Sequence, residues 1–379
     1  MTESEDGSAE SDHRDDARPA PPTSSRSALS RRRTLLGLAA VGGVAAVGVG
    51  GLAEAAAWLR PGALTPADFA DRFEQIAGRH EGFRRNHAKG LAATGTFTSN
   101  GAGAAVSKAA VFRTGTVPVV GRFSLSGGLP DQPDKNDTVR GLGLMFRLPD
   151  GEQWRIAMVN IPVFPDSTPQ GFYDRMLASR PQPETGKPDP QAMADFLARH
   201  PETAAAMKII SATPPSAGFA DSTFRGLNAF RATNDQGQTT AIRWTAVPLQ
   251  AAQPEVRIPN GDRNALFDAL IDTVSLGPIS WQLLLTLADP TDPTHDATLP
   301  WPADRPTIEA GTITIDTVQT EAPGNARDIN FDPMVLPAGL APSDDPLPSA
   351  RSAVYARSFN RRAREPKSPS AVVVPGGAQ

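Results

Sequence analysis

Val117-Pro118-Val119-Val120-Gly121-Arg122-Phe123, Gly143-Leu144-Met145-Phe146-Arg147-Leu148 and Trp154-Arg155-Ile156-Ala157-Met158-Val159-Asn160 are short apolar runs set apart by Gly, Pro, Asn and Asp. Runs of this length and spacing read as strands of an antiparallel sheet. With a fourth run at 109–112 they occupy the stretch from about 90 to 163, and similar runs return at 240–249, 280–287 and 310–317. Helical patterns interrupt them at no fixed interval. Thr65-Pro66-Ala67-Asp68 is a helix start, with a capping Thr, Pro at the first helical position and an acid in the first turn. Phe69, Phe73 and Ile76 then share one helical face. Further helical stretches cover about 190–210 and 263–274, and Arg351–Phe359 is compatible with a helix. Strand and helix without regular alternation predict an α+β fold built on an antiparallel barrel, not a doubly wound parallel sheet. The tryptophans at 154, 244, 281 and 301 fall in strand-like runs and are expected on the barrel.

Composition narrows the chemistry. The chain has 379 residues, 39% of them apolar, enough for a large core. Its 37 basic and 41 acidic residues give a net charge of −4, which argues against nucleic acid as a partner. It has no cysteine, which removes disulfides, thiolate metal sites and cysteine nucleophiles. With only five histidines and two tyrosines the candidates for metal or haem ligation are few, and 37 prolines with 33 glycines mark a loop-rich chain.

The ends read differently from the middle. Residues 1–29 are polar and charged, as in a disordered segment. Residues 30–57 hold Ser30-Arg31-Arg32-Arg33, then an uncharged run from Gly37 to Ala53, then small residues, the layout of an export signal. The paired arginines resemble a twin-arginine signal, which implies the twin-arginine export machinery and a periplasmic or other extracytoplasmic location. An uncleaved membrane anchor is the alternative. The globular domain is expected over 58–364, with a loose tail over 365–379.

Three places carry potential chemistry. Phe83-Arg84-Arg85-Asn86-His87-Ala88-Lys89-Gly90 packs four actual or potential cations beside a strand that should enter a core. Asn160-Ile161-Pro162-Val163-Phe164 ends an apolar strand on an amide. Arg351-Ser352-Ala353-Val354-Tyr355 puts a guanidinium and a phenol one helical turn apart. Each alone has a plain reading: a solvated basic loop, a turn-forming Asn, an amphipathic helix.

Together, in this order, they resemble the haem catalase family. Arg84-x-x-His87-Ala88-Lys89-Gly90 looks like the family's distal-histidine motif, and Gly121-Arg122-Phe123-Ser124 like its following strand. Arg140-Gly141-Leu142 is similar to the Arg-Gly strand, and Asn160-x-Pro162-x-Phe164 to the distal asparagine strand. Phe172 falls where the family has a phenylalanine beside the haem. Phe331-Asp332-Pro333 and Ser343-Asp344-Asp345-Pro346 lead into Arg351-x-x-x-Tyr355, like the proximal ligand motif, and Arg362 matches a propionate-binding arginine.

The resemblance implies an eight-stranded antiparallel barrel with flanking helices, and haem b as cofactor. Tyr355 would ligate the iron, because splitting a peroxide is favoured by an anionic ligand, and Arg351 favours the phenolate. His87 would take and return the peroxide proton. Asn160 would donate a hydrogen bond to bound peroxide, and Ser124 would fix the histidine tautomer. Arg84, Arg122 and Arg362 would hold the propionates, whose charges need cationic partners when buried. His80, His200 and His295 read as surface or helix residues, and Tyr173 as packing at the barrel edge.

Departures from the family shape the expected activity. Full catalases carry a further helical domain beyond the proximal tyrosine, whereas 24 residues follow Tyr355 here, so no nicotinamide cofactor (NADPH) is expected. Ser126 and Thr138, with Asp137 one residue earlier, stand where the family has a channel valine and aspartate. A wider channel should admit organic hydroperoxides and small organic electron donors. The pattern is thus similar to the small catalase-related peroxidases, with weak or no catalase activity, a role against oxidative stress, and a monomer or homodimer. Two alternatives stand beside it: an allene-oxide-synthase-like rearrangement of hydroperoxides, favoured by polar Asn86 before His87, and a haem-binding protein without turnover.

Overall fold

A computed structural model describes residues 64–182, 184–259 and 262–376. The expected disordered segment (1–29) and export signal (30–57) lie outside the described residues. Among the described residues, ten strands form one antiparallel sheet: β1 (Gly90–Ser99), β2 (Gly115–Leu125), β3 (Arg140–Arg147), β4 (Gln153–Val159), β5 (Phe224–Arg225), β6 (Phe230–Thr233), β7 (Thr239–Pro248), β8 (Ile279–Leu287), β9 (Thr307–Gln319) and β10 (Leu340–Pro342). Their order is β10-β6-β7-β5-β4-β3-β2-β1-β9-β8, and a pairing of β7 with β8 closes the ring. Eight strands, β1–β5 and β7–β9, make the closed barrel. β6 and β10 extend from it beside β7. The eight-stranded barrel expected from the sequence is therefore present.

Alternation along the strands sets what faces in and what faces out. On β2, Val117, Val119, Phe123 and Leu125 enter the core, which leaves Arg122 and Ser124 on the outer face. On β4, Trp154, Ile156 and Met158 point in, while Ala157 and Val159 stand on the partly exposed outer face. The interior is filled by rings: Trp154 stacks on Phe146 at 4.8 Å, Phe230 on Trp244 at 4.3 Å, and Phe123 meets Phe219 edge-on at 5.6 Å. A barrel packed this way has no room for a cofactor inside, so any large site must lie outside its wall.

Among the described residues, six helices flank the barrel: α1 (Pro66–Ala77), α2 (Pro169–Ala178), α3 (Pro190–Arg199), α4 (Pro201–Ser211), α5 (Ala265–Leu276) and α6 (Pro346–Ala363). Five of them begin with Pro in the first turn. Thr65 caps α1 as the sequence leads one to expect, and Asp68 completes a capping box: the Thr65 hydroxyl accepts from Asp68 N while the Asp68 carboxylate accepts from Thr65 N at 2.6 Å. None of the helices among the described residues is long and apolar enough to cross a membrane.

Two expectations need correction. The run at 109–112 is not a strand but a short 3-10 turn, Ala110–Phe112, whose Val111 and Phe112 plug the barrel core. Apolar content, not pairing, put it inside. The segment after 364 is not loose as far as residue 376. Val372 is fully buried in the main core, Ser368 O accepts from Arg327, and Glu365 accepts from Arg85.

Candidate functional site

α6 runs for 18 residues yet buries only Leu347, Pro348, Ala350 and Arg362. Positions 347, 350, 351, 354, 355, 358, 359 and 362 recur at three and four residues, so they form one face. That face opens on a cavity of about 1400 Å³, the open solvent at its mouth included. The facing wall is the outside of the barrel. There β3 and β4 present Gly141, Gly143, Ala157 and Val159, a floor of small residues that lets a flat group come close to the backbone. Phe69 and Phe73 of α1 and Phe172 of α2 close an apolar side, with Phe172 centred 6.3 Å from Phe69 and 6.1 Å from Phe73.

On the helical wall, Arg351 Nη2 donates to the Tyr355 hydroxyl at 3.3 Å. Its Nη1 donates to Asn228 Oδ1 at 2.8 Å, and Asn228 Nδ2 donates to buried Asp345 at 2.8 Å. Asp345 also caps α6, accepting from Leu347 N. One carboxylate thus starts the helix and, through Asn228, steadies the arginine beside the phenol.

On the barrel wall, His87 sits in the turn before β1. Its φ is +54°, a left-handed conformation that costs a non-glycine residue about 1–2 kcal/mol. Neighbours hold it there. Asn86 Oδ1 accepts from His87 N (3.0 Å) and Gly127 N (2.9 Å), and Ala88 N donates to Gly127 O. His87 Nδ1 lies 3.0 Å from Ser124 Oγ. Gly141 is required beneath this pair: a Cβ there would stand 2.9 Å from Ser124 Oγ and 3.2 Å from the His87 ring. Burial, with the charges of Arg122, Arg351 and Arg84, lowers the His87 pKa to about 3. The imidazole is therefore neutral at pH 7, the state a proton acceptor needs.

Three arginines line the remaining end. Arg84 donates to Glu321 (3.1 Å) and to the carbonyls of Ala326 and Ile329, and Arg362 donates to the carbonyls of Arg327 and Ile329. Arg122 donates from Nε and Nη2 to the two oxygens of Glu321, both at 2.8 Å. One carboxylate among these three guanidiniums, two of them buried and Arg84 partly so, leaves an excess of two positive charges. Burial, reinforced by Arg122 and Arg362, pushes Arg84 well below its usual range, and burial with Arg122 lowers Arg362 to about 10. The same carboxylate is held ionised, at a pKa of about 2, by Arg122 and Arg84 against its own burial.

The structure brings Arg84, His87, Arg122, Ser124, Phe172, Arg351, Tyr355 and Arg362 to this one cavity. Asn160 is not among the residues lining it; its Oδ1 accepts from Arg140 N at 2.8 Å. Ser126, Asp137 and Thr138 do not line it either. Asn86 does, with its oxygen committed to backbone. Sequence alone assigns no role in the site to Glu321, Asn228 or Asp345. A buried Glu or Asn looks like a surface one in sequence, and only Asp345, before Pro346, carried a helix-start signal.

Among the described residues, no cluster of three or more His, Asp or Glu side chains could hold a bare metal ion. The residues fit a planar group: a flat floor, an apolar side, a phenol, and an excess of two positive charges for a doubly anionic edge. Haem has that shape and charge.

The profile of the family described as Catalase matches residues 68–366. A catalase-related peroxidase of Synechococcus elongatus is 36% identical over 303 residues, covering 79% of this chain and 89% of the relative. A catalase-related peroxidase of Mycolicibacterium paratuberculosis is 33% identical over 305 residues, covering 79% and 96%. Among solved structures, a bacterial catalase superposes with a TM-score of 0.65 at 21% identity, over 80% of this chain and 62% of that one. Catalase A from Saccharomyces cerevisiae gives 0.65 at 20%, over 81% and 67%.

Proposed function

The chain belongs to the catalase family, and on that premise we propose that it is a haem b peroxidase, reducing hydrogen peroxide or organic hydroperoxides with a small organic electron donor and having weak or no catalase activity. The observation that carries this reading is the shared cavity: a phenol beside an arginine on one wall and a neutral histidine on the other. Bound there, haem would supply the iron at which the peroxide O–O bond is broken.

The chain's own residues would do the rest. Tyr355 would hold the iron, with Arg351 beside its oxygen. Arg84 and Arg362 would face the propionates, the two charges their cluster lacks. Arg122 would contribute mainly field, since Glu321 and two carbonyls take up most of its donors. His87, donating from Nδ1 to Ser124, would keep a lone pair on Nε2 to accept a peroxide proton and return it to the departing oxygen. Asn160, off the cavity lining, has its oxygen engaged by Arg140 N, so only its NH2 would be left to donate to bound peroxide. We also propose export, on the basic patch and small-residue run of residues 30–57.

The test is an optical spectrum of the purified protein, then peroxide addition with and without a chromogenic donor. A Soret band and donor oxidation well above oxygen release are expected. No Soret band, or oxygen release with no donor oxidation, would overturn the reading.

A further inference from the structure

We propose that Glu321 is a positioning residue for His87, acting through Arg122 to hold the left-handed turn that presents the imidazole to the cavity. The proposal takes the importance of His87 from the function just described, but its geometry stands apart from it.

Glu321 lies just past β9, 5% exposed, far in sequence from His87. Its two oxygens accept from Arg122 Nε and Nη2, a bidentate pairing that fixes the plane of the guanidinium. The same guanidinium then reaches the backbone of the turn: Nη1 donates to His87 O at 2.9 Å and Nη2 to Ala88 O at 3.2 Å. Asn86 and Gly127 grip this turn from its N–H side, and Arg122 grips it from its carbonyl side. A left-handed residue that is not glycine persists only where its surroundings hold it, and here both sides do. Gly90 is part of the device: a Cβ there would collide with the Arg122 guanidinium and with Phe123 O. The glycine after Lys89 thus leaves the passage through which the arginine reaches the turn.

Glu321→Gln keeps the shape but sets an NH2 against one of the two guanidinium donors, so Arg122 should lose its fixed plane and the turn its carbonyl-side grip. The first readout needs no iron: ring-carbon-labelled histidine in the full-length, haem-free chain, observed by NMR, with His87 assigned by its loss in His87→Gln. The wild type should show one His87 signal that does not titrate between about pH 5 and 8. In Glu321→Gln that signal should shift, broaden or split while the other four histidine signals and the circular dichroism stay unchanged. The second readout is cyanide association with the ferric haem-loaded protein, because hydrogen cyanide must give up a proton to a positioned base as it binds. It should slow at least about tenfold in Glu321→Gln and partly recover in Glu321→Asp.

A His87 signal and cyanide rate that overlay the wild type would overturn the proposal. If Glu321→Gln does not fold, Arg122→Lys replaces it, since an ammonium cannot serve the carboxylate and both carbonyls in one plane. An unmoved His87 signal there overturns the proposal equally. If the wild type takes up no haem, the function fails while the NMR comparison still decides the role of Glu321.

Discussion

The two walls of the cavity hold their key side chains by opposite means. The helical wall uses regular geometry: Arg351 and Tyr355 meet because they are four residues apart on α6, and one capping carboxylate supports both helix and arginine. The barrel wall uses an irregular turn, with His87 in a left-handed conformation kept by Asn86, Gly127, Arg122 and Glu321. A group that only has to bind can sit on a helix face. One that must carry a proton from a defined direction needs a site that does not relax. The difference predicts that the helical wall fails by losing its cofactor, and the barrel wall by losing rate.

Tyr355→Phe makes the largest break. It leaves the helix intact and should abolish both the Soret band and peroxide-dependent donor oxidation. A variant that kept both would remove the distinction between the walls. His87→Ala should retain haem and slow the peroxide reaction by about 10²–10⁴-fold, seen by stopped-flow absorbance. Loss of haem in that variant would mean that the histidine binds rather than reacts.

A third prediction concerns pH. The folded-state pKa of His87, about 3, lies below the ordinary value of 6.5, so the folded chain resists a proton that the unfolded chain accepts. Its contribution is complete above about pH 6.5 and shrinks as pH falls toward 3, amounting to a loss of about 2 kcal/mol at pH 5 relative to pH 8. Denaturant titrations of wild type and His87→Gln should differ by that increment. Parallel pH profiles would contradict the buried neutral imidazole. Ser124→Ala should have the smallest effect, about 0.5–1.5 kcal/mol in the peroxide step, because it removes one hydrogen bond while the turn still holds the ring.

What could be read from sequence follows the same divide. Strand runs, the Thr65 cap and the Arg351–Tyr355 spacing are local, and local patterns survive in a single sequence. Arg122 and Ser124 on one strand face follow from alternation. The rest depends on partners far along the chain. Glu321 meets Arg122 across 199 residues and Asn228 meets Asp345 across 117, which no periodicity encodes. The packing of Val372 into the core is hidden because the run Ala371-Val372-Val373-Val374 is too short to show a period and is set among Pro366, Pro369 and Pro375. Asn160 shows the limit of a motif: the strand ends where expected, but its amide oxygen ties down Arg140 N and the residue stays off the cavity lining.

The central claim is that the oxygen of one tyrosine holds iron in this cavity. The chain has only two tyrosines, and Tyr173 packs against Phe69 with its hydroxyl bonded to Arg72. Resonance Raman spectra of the ferric haem-loaded protein, prepared with ordinary and ring-deuterated tyrosine, test the claim directly. Tyrosinate bands that shift with the label and persist in Tyr173→Phe are predicted. A haem spectrum without a label-sensitive band would contradict it.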